Sequence, residues 1–351
     1  MREEAIRSGV QQVLGEPVEL QLDRHRVRPW LDADDLSGVI PATAGDRTVV
    51  VKIGLTEGLD QTLIPWILGR GGIDLPQFPG SSMAAELSHT AEREPAAYAL
   101  HALRDVLPEE LGRFTVDGQT ALVLADIGAV QGLDPTGSTA RWSLEQIEQA
   151  LVVAAGFHAA TAGRDYPWAP LRPSTRTALA DVDLYRAILR DASRRLPDIV
   201  TPAVLEHRLE LLDSLSRWHP AKDVMPATLV HNDFNQRNIG FRTDGRVVVL
   251  DWELARVDIP QRDVVELLTF TLDAHADVDV VLHLLGVHWQ ALQENGMEVE
   301  PEVYARAAAA EFRRHALDRV GMHLLFGAAF ELPYLQRINR TVDHLVGLTA
   351  E

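Results

Sequence analysis

The sequence predicts an α+β fold in two lobes, a small N-terminal β-sheet lobe and a larger, mostly helical C-terminal lobe. Three observations carry that expectation. At 351 residues the chain is long enough for two cores, given roughly 150 residues per domain. Short β-branched runs separated by turns fill the chain up to about residue 130, whereas after Ser143 apolar residues recur at helical spacing outside one β-rich patch. A Gly-, Pro- and Ser-containing connector over 128–141 separates the two textures. Lobes of 1–127 and 128–351 are therefore expected, with a hinge at about 124–130.

In chain order, a first helix is expected over 2–14 and strands over 18–27, 36–42 and 47–53, the last two separated by the turn Ala44-Gly45-Asp46. A Gly- and Pro-rich loop over 54–80 precedes helical sequence to about residue 104, and strands follow over 113–116 and 120–125. Ser143 with Gln146 three residues on is a capping-box pattern, opening a helix to about Thr161. Helices over 176–196 and 202–217 lead to short strands over 228–230, 239–242 and 247–250. Thr243-Asp244-Gly245 joins the last two as a hairpin. From Arg262 onward the chain reads as helices broken at Asn295-Gly296 and Leu332-Pro333.

Composition removes several function classes. Lys plus Arg number 33 against 51 Asp plus Glu, a net charge of −18 that repels phosphate backbones, so no nucleic-acid partner is expected. The absence of cysteine excludes disulfides, thiolate zinc sites, iron–sulfur clusters and cysteine nucleophiles. The start MREEAIRSGV lacks the basic and apolar stretches of a signal peptide, and the most apolar segment, 150–160, is too short to span a bilayer. A cytoplasmic protein without a membrane partner is the expectation.

The chemistry concentrates in His231-Asn232-Asp233-Phe234-Asn235-Gln236-Arg237-Asn238, which holds three of the chain's five asparagines. A His-x-Asp-x4-Asn pattern is expected by chance about 0.015 times in a chain of this composition. Phosphoryl transfer needs a carboxylate to orient an attacking hydroxyl, and oxygen ligands to hold Mg²⁺ against nucleotide phosphates. Asp233 suits the first task. Asn238 and Asp251 stand at the two ends of the hairpin and can converge on one metal-sized volume. The same Asp, Asn and metal-Asp logic serves protein kinases. The alternative is a loop whose Asn and Asp side chains cap its own backbone.

Thr228-Leu229-Val230 ahead of His231-x-Asp233-x4-Asn238, then Val248-Val249-Leu250-Asp251-Trp252-Glu253, resembles the aminoglycoside phosphotransferase and choline kinase superfamily. Pro260-x-x-Asp263-x-x-Glu266-Leu267-Leu268 resembles the segment in which that family opens its next helix with a structural aspartate. The resemblance implies a bilobal protein-kinase-like fold, ATP or GTP with Mg²⁺, and a small-molecule hydroxyl as acceptor. It makes Asp233 the catalytic base and Asn238 and Asp251 the metal ligands, with His231 and Asp263 in support.

Val49-Val50-Val51-Lys52-Ile53 resembles the family's third strand, which gives Lys52, the sole lysine before Lys222, to the α and β phosphates. Arg93-Glu94-Pro95-Ala96-Ala97-Tyr98 resembles the segment that carries the partner glutamate. Pro95 fits the first turn of a helix and so places Glu94 near an N-cap, with Glu92 or Glu86 as alternatives if the helix starts earlier. Leu122-Val123-Leu124-Ala125-Asp126-Ile127 resembles the strand-to-hinge step, which sets Leu124, Asp126 and Ile127 against the nucleotide base. His158 also matches a family helix position and is read as a hydrogen-bonded core residue. Two departures stand out. Residues 28–36 contain no glycine-rich phosphate loop and three acids, and 54–80 is longer than ordinary connections.

Other catalytic signatures are absent: no Gly-x4-Gly-Lys loop, no Gly-x-Ser-x-Gly elbow, no His-Glu-x-x-His and no Rossmann glycine fingerprint. Asp273-x-His275-x-Asp277-x-Asp279 lacks the glycine and closing glutamate of a calcium loop and reads as a solvated helix start. Three functions follow: an antibiotic O-phosphotransferase, a metabolic kinase for choline, homoserine or a sugar, and a silent nucleotide-binding module. The intact Lys52, Asp233, Asn238 and Asp251 argue against the third. Between the first two the sequence decides little; an antibiotic acceptor is the leading expectation, and a net charge of −18 would suit a cationic one such as an aminoglycoside, with uridine- or macrolide-type antibiotics also open.

Overall fold

The computed structural model describes residues 2–22, 36–55, 57–134, 136 and 141–349. Helix α1 (Arg2–Leu14) and strands β1 (Val18–Leu20), β2 (Gly38–Ala44) and β3 (Arg47–Ile53) come first. Helices α2 (Leu63–Gly71), α3 (Ser82–Leu87) and α4 (Thr90–Tyr98) then lead to β4 (Glu110–Val116) and β5 (Gln119–Ala125). The five strands form one sheet in the order β1-β2-β3-β5-β4, antiparallel throughout. Of the strand expected over 18–27, residues 18–20 are extended; 23–27 and the acidic residues of 28–35 lie outside the described residues.

The period-two alternation of β3 sorts its side chains between two faces. Val49, Val51 and Ile53 pack under Ile6 and Val10 of α1. Val50 and Lys52 face the other way, into the cleft between the lobes.

Two expectations for the segment after β3 are corrected. Residues 54–80 are not one loop, because Leu63, Ile64 and Ile67 bury one face of α2, which ends at Gly72 with φ 58°. Ile64, Ile67, Phe78 and Met83 join the core that holds Ile188 and Leu325 of the helical lobe. The Arg70 Nε donates to the Ala329 carbonyl at 2.9 Å, fastening α2 there. By packing, this segment goes with the helical lobe although it lies between β3 and β4. Second, α4 begins at Thr90, so Pro95 sits one turn in and Glu94 is in the helix body. The cost is one missing backbone N–H, which leaves the Ala91 carbonyl without its helical donor.

The second lobe begins with α5 (Leu144–Thr161), whose Ser143–Gln146 capping box is formed in both directions. The helix expected over 176–196 divides into α6 (Thr175–Ala180) and α7 (Val182–Arg195), and that over 202–217 into α8 (Pro202–Asp213) and α9 (Leu215–Trp218). Strand β6 (Thr228–Val230) precedes the hairpin of β7 (Ile239–Phe241) and β8 (Val247–Val249). An unexpected β9 (Arg256–Asp258) pairs antiparallel with β6. Helices α10 (Gln261–Thr271), α11 (Val278–Glu294), α12 (Pro301–Leu317), α13 (Arg319–Ala329) and α14 (Leu335–Leu348) complete the chain. Among the described residues no helix is long and apolar enough to cross a membrane.

Candidate active site

The loop between β6 and β7 is held from behind. Asp263, in the first turn of α10, accepts the backbone N–H groups of His231 and Asn232, each at 2.8 Å, and meets His158 Nε2 at 3.0 Å. His158 is fully buried and also bonded to His288, as expected of a core histidine. Asn232 turns through φ 64°, a left-handed conformation that Asn tolerates better than most residues. Its side chain is fully engaged. The amide nitrogen donates to Glu86 and the Leu254 carbonyl, and its oxygen accepts from Arg262 Nε at 2.8 Å.

His231 links this loop to the end of β8. Its Nε2 bonds the Leu250 carbonyl at 2.8 Å, which fixes Nδ1 as acceptor for the Asp233 backbone N–H at 3.2 Å. One residue on, Asp251 also adopts a left-handed conformation, φ 66°. The two loops therefore set Asp233 and Asp251 on the wall of one cavity of about 440 Å³.

Lys52 enters that cavity from β3. Its Nζ stands 2.6 Å from Glu94 Oε2 and 2.6 Å from Asp251 Oδ1. Burial favours the neutral amine, but the Asp251 and Glu94 carboxylates overcome it and raise the Lys52 pKa. Burial pushes Glu94 up despite Lys52, with Asp251 adding repulsion. Glu86, the alternative partner for Lys52, instead pairs with Arg256 at 2.5 Å.

Asp233 is the most heavily bonded group of the site. Asn238 Nδ2 donates to its Oδ2 at 2.7 Å, and Asn235, Arg237 and Arg319 all donate to Oδ1, the first two at 2.9 and 2.6 Å. Burial would raise this carboxyl, yet the guanidinium groups of Arg237 and Arg319 hold it well below the usual carboxylate range. Such a group is a weak proton acceptor and a strong orienting one. Because Asn238 gives its nitrogen to Asp233, its carbonyl oxygen is the atom left for a hard cation, and Asp251 adds a carboxylate. Among the described residues no three His, Cys, Asp or Glu side chains cluster as a complete metal site, so an ion held by Asn238 and Asp251 needs ligands from elsewhere.

Leu124 and Ile127 line the apolar end of the cavity with Val39, Val50 and Leu250. Asp126 does not. Its carboxylate accepts the Gly128 N–H at 2.9 Å and its own N–H reaches the Thr48 carbonyl at 3.4 Å, so it shapes the turn after β5.

The profile of the phosphotransferase enzyme family matches residues 43–318. The chain belongs to this family. The phosphotransferase is similar in fold to choline kinase LicA from Streptococcus pneumoniae, at 14% identity, with 99% of each chain covered and a TM-score of 0.53. It is also similar to an aminoglycoside phosphotransferase from Alicyclobacillus acidocaldarius, at 15% identity over 93% of this chain and 91% of that one, TM-score 0.53. A thermostable mutant aminoglycoside phosphotransferase in ternary complex with ADP and hygromycin B matches at 16% identity, covering 97% and 98% of the two chains, TM-score 0.50. No curated protein sequence matches the chain. The phosphotransferase thus has the bilobal protein-kinase-like fold.

Three further charged residues complete the surroundings of Asp233: Arg237, Arg319 and Glu266. Glu266 Oε1 accepts from Asn235 at 3.0 Å, and its Oε2 lies 3.4 Å from Arg319 Nε. In the sequence Arg237 and Glu266 stand as charges inside the 231–238 and 260–268 motifs. Arg319, 86 residues beyond Asp233, carries no spacing signal.

Proposed function

We propose that this phosphotransferase moves the γ-phosphoryl of ATP or GTP to a hydroxyl of an antibiotic. The observation that carries the reading is the meeting of Lys52, Asp251, Asn238 and Asp233 on one cavity whose far end is apolar. The apolar end takes the base, beside the hinge. Lys52, oriented by Glu94, pairs with the α and β phosphates. Asn238 and Asp251 fit a Mg²⁺ ion that also needs the phosphates as ligands. When bound, that ion neutralises charge on the β and γ oxygens. Asp233 orients the acceptor hydroxyl and takes its proton late, in keeping with a carboxylate whose basicity is held down. His231 and Asp263 position the loop.

The deciding experiment measures ADP and GDP release with a panel of hydroxylated antibiotics and metabolites, with and without excess chelator. Turnover of an antibiotic, abolished by chelator, is the expected result. Turnover confined to choline, homoserine or a sugar would move the enzyme to the metabolic kinases. Absence of diphosphate release with every acceptor tested, alongside nucleotide-induced thermal stabilisation, would mark a silent module.

A further inference from the structure

Two guanidinium groups meet on the same oxygen of Asp233, and their surroundings differ. Arg319 is 4% exposed and has a second carboxylate neighbour in Glu266 at 3.4 Å. Arg237 is 21% exposed and lines the nucleotide cavity. Among the described residues of that cavity wall it and Lys52 are the two cations. Lys52 is committed to Glu94 and Asp251. Arg237 stands at the Asp233 side, where its guanidinium lies 5.3 Å from the Phe270 ring centroid and 5.4 Å from that of Tyr334. Its Nε donates to Asn235 Oδ1 at 3.1 Å and its Nη1 to the Tyr334 hydroxyl at 3.3 Å, so these bonds and the two rings hold the guanidinium in place when Nη2 exchanges Asp233 for another anion.

During transfer the γ-phosphoryl group carries its charge on three equatorial oxygens, and a preorganised arginine there lowers the barrier. Asp233 has a second guanidinium partner in Arg319, so it stays ion-paired when Arg237 turns to another anion. We propose that Arg237 is the γ-phosphoryl clamp of this enzyme, exchanging Asp233 for phosphoryl oxygens when a nucleoside triphosphate binds, while Arg319 keeps Asp233 ion-paired and in place. This inference rests on the nucleotide reading of the cavity. In the step it serves, the bond from the γ-phosphorus to the β–γ bridging oxygen breaks and its electron pair leaves with the diphosphate. The acceptor hydroxyl oxygen forms the new bond to phosphorus, and its proton passes by way of Asp233 to water. Arg237 gains and loses no proton.

The test is the affinity of Arg237→Met for a Mg²⁺-bound, non-hydrolysable triphosphate and for the diphosphate, measured by calorimetry, with kcat on the best acceptor. The diphosphate Kd should stay within about threefold of wild type while the triphosphate Kd rises about tenfold. Turnover should fall by about 10²- to 10³-fold, the cost of removing one preorganised donor. Arg237→Lys, which keeps the charge and loses the fork, should recover part of both losses. Arg319→Met should lower turnover without changing the triphosphate-to-diphosphate ratio. Equal weakening of both nucleotides by Arg237→Met, or a ratio and kcat like wild type, would return Arg237 to a loop strut. Wild-type protein that binds neither nucleotide would instead overturn the kinase reading, and this inference with it.

Discussion

The two lobes bury different things. Beneath the sheet of β1–β5 no charged side chain enters the core among the described residues; it is made of Ile6, Val10, Ile40, Val49, Val51 and their aliphatic neighbours, while Lys52 faces the cleft. Behind the 231–238 loop, the helical lobe threads a net of buried ions through its core. Arg262 reaches Glu311 at 3.1 Å and Asp318 at 3.2 Å, Arg314 reaches Asp258 at 2.7 Å and Asp318 at 2.8 Å, and Lys222 pairs with Glu311. The net ends on the site, since Arg262 and Glu86 bond the two ends of the Asn232 amide. Apolar burial is non-directional and suffices to pack a sheet on a helix. Holding a left-handed residue in the 231–238 loop takes directional bonds, and each buried charge must then be matched.

The largest effect is expected where the lobes face each other. If the sheet side serves the nucleotide and the loop side the acceptor, Asp233→Asn separates the two. A lost general base costs on the order of 10²- to 10⁴-fold in rate. Turnover should collapse while the thermal shift induced by Mg²⁺-nucleotide persists, because Lys52 keeps its pairs with Glu94 and Asp251. Near-native turnover would erase the division of labour and return Asp233 to a turn-capping role.

The second way to break the comparison is to cut the net itself. Arg262→Met leaves Glu311, Asp318 and the Asn232 oxygen without a shared partner. Removing one member of a buried ion pair typically costs about 3–5 kcal/mol. Urea unfolding should show a loss of that size, together with lower turnover, since Asn232 is the anchor of the loop. A loss under about 1 kcal/mol would show that the net is dispensable.

The same contrast explains what could be read from the sequence. Strand β3, the α5 capping box and the β7–β8 hairpin follow from local patterns, and the chemistry of Asp233, Asn238 and Asp251 lies in short motifs with turn-defined spacing. Helix α2 was hidden because its nine residues include Pro65, Gly69 and Gly71, although a proline in the first turn is tolerated. Strand β9 is three residues long and carries two charges, so no hydrophobic period marks it. Glu86 and Arg319 meet the loop from 146 and 86 residues away, and only packing of α3 and α13 brings them there.

The third prediction sharpens the contrast through pH. His219 and His288 of the helical lobe are buried neutral. Burial, with Lys222 and Arg314 beside it, pushes His219 down to about 3, and burial with His158 nearby holds His288 well below its ordinary value. Below about pH 6.5 the unfolded chain takes up protons that the folded chain refuses, so stability falls as pH falls. The slope is about 1.4 kcal/mol per pH unit for each such histidine, so His219→Gln should flatten the stability curve by about 2 kcal/mol between pH 6.5 and 5. An unchanged slope would mean that His219 protonates in the fold.

The smallest effect is expected under the sheet. Ile40 of β2 is fully buried opposite Val51 of β3, and Ile40→Val removes one methylene without exposing a polar atom. Such a change costs about 0.5–1.5 kcal/mol, set by transfer and by the small cavity left behind. Neighbouring aliphatic side chains can close part of that space, because none is fixed by a directional bond. Lys52 projects from the opposite face of β3, so the nucleotide Kd should not move, nor should the pH slope, which belongs to the other lobe. Calorimetric binding and urea unfolding on Ile40→Val, run beside Arg262→Met, test this directly. If Ile40→Val cost 3 kcal/mol or more, or weakened nucleotide binding tenfold, the sheet core would be as tightly specified as the ion net, and the distinction between the lobes would fail.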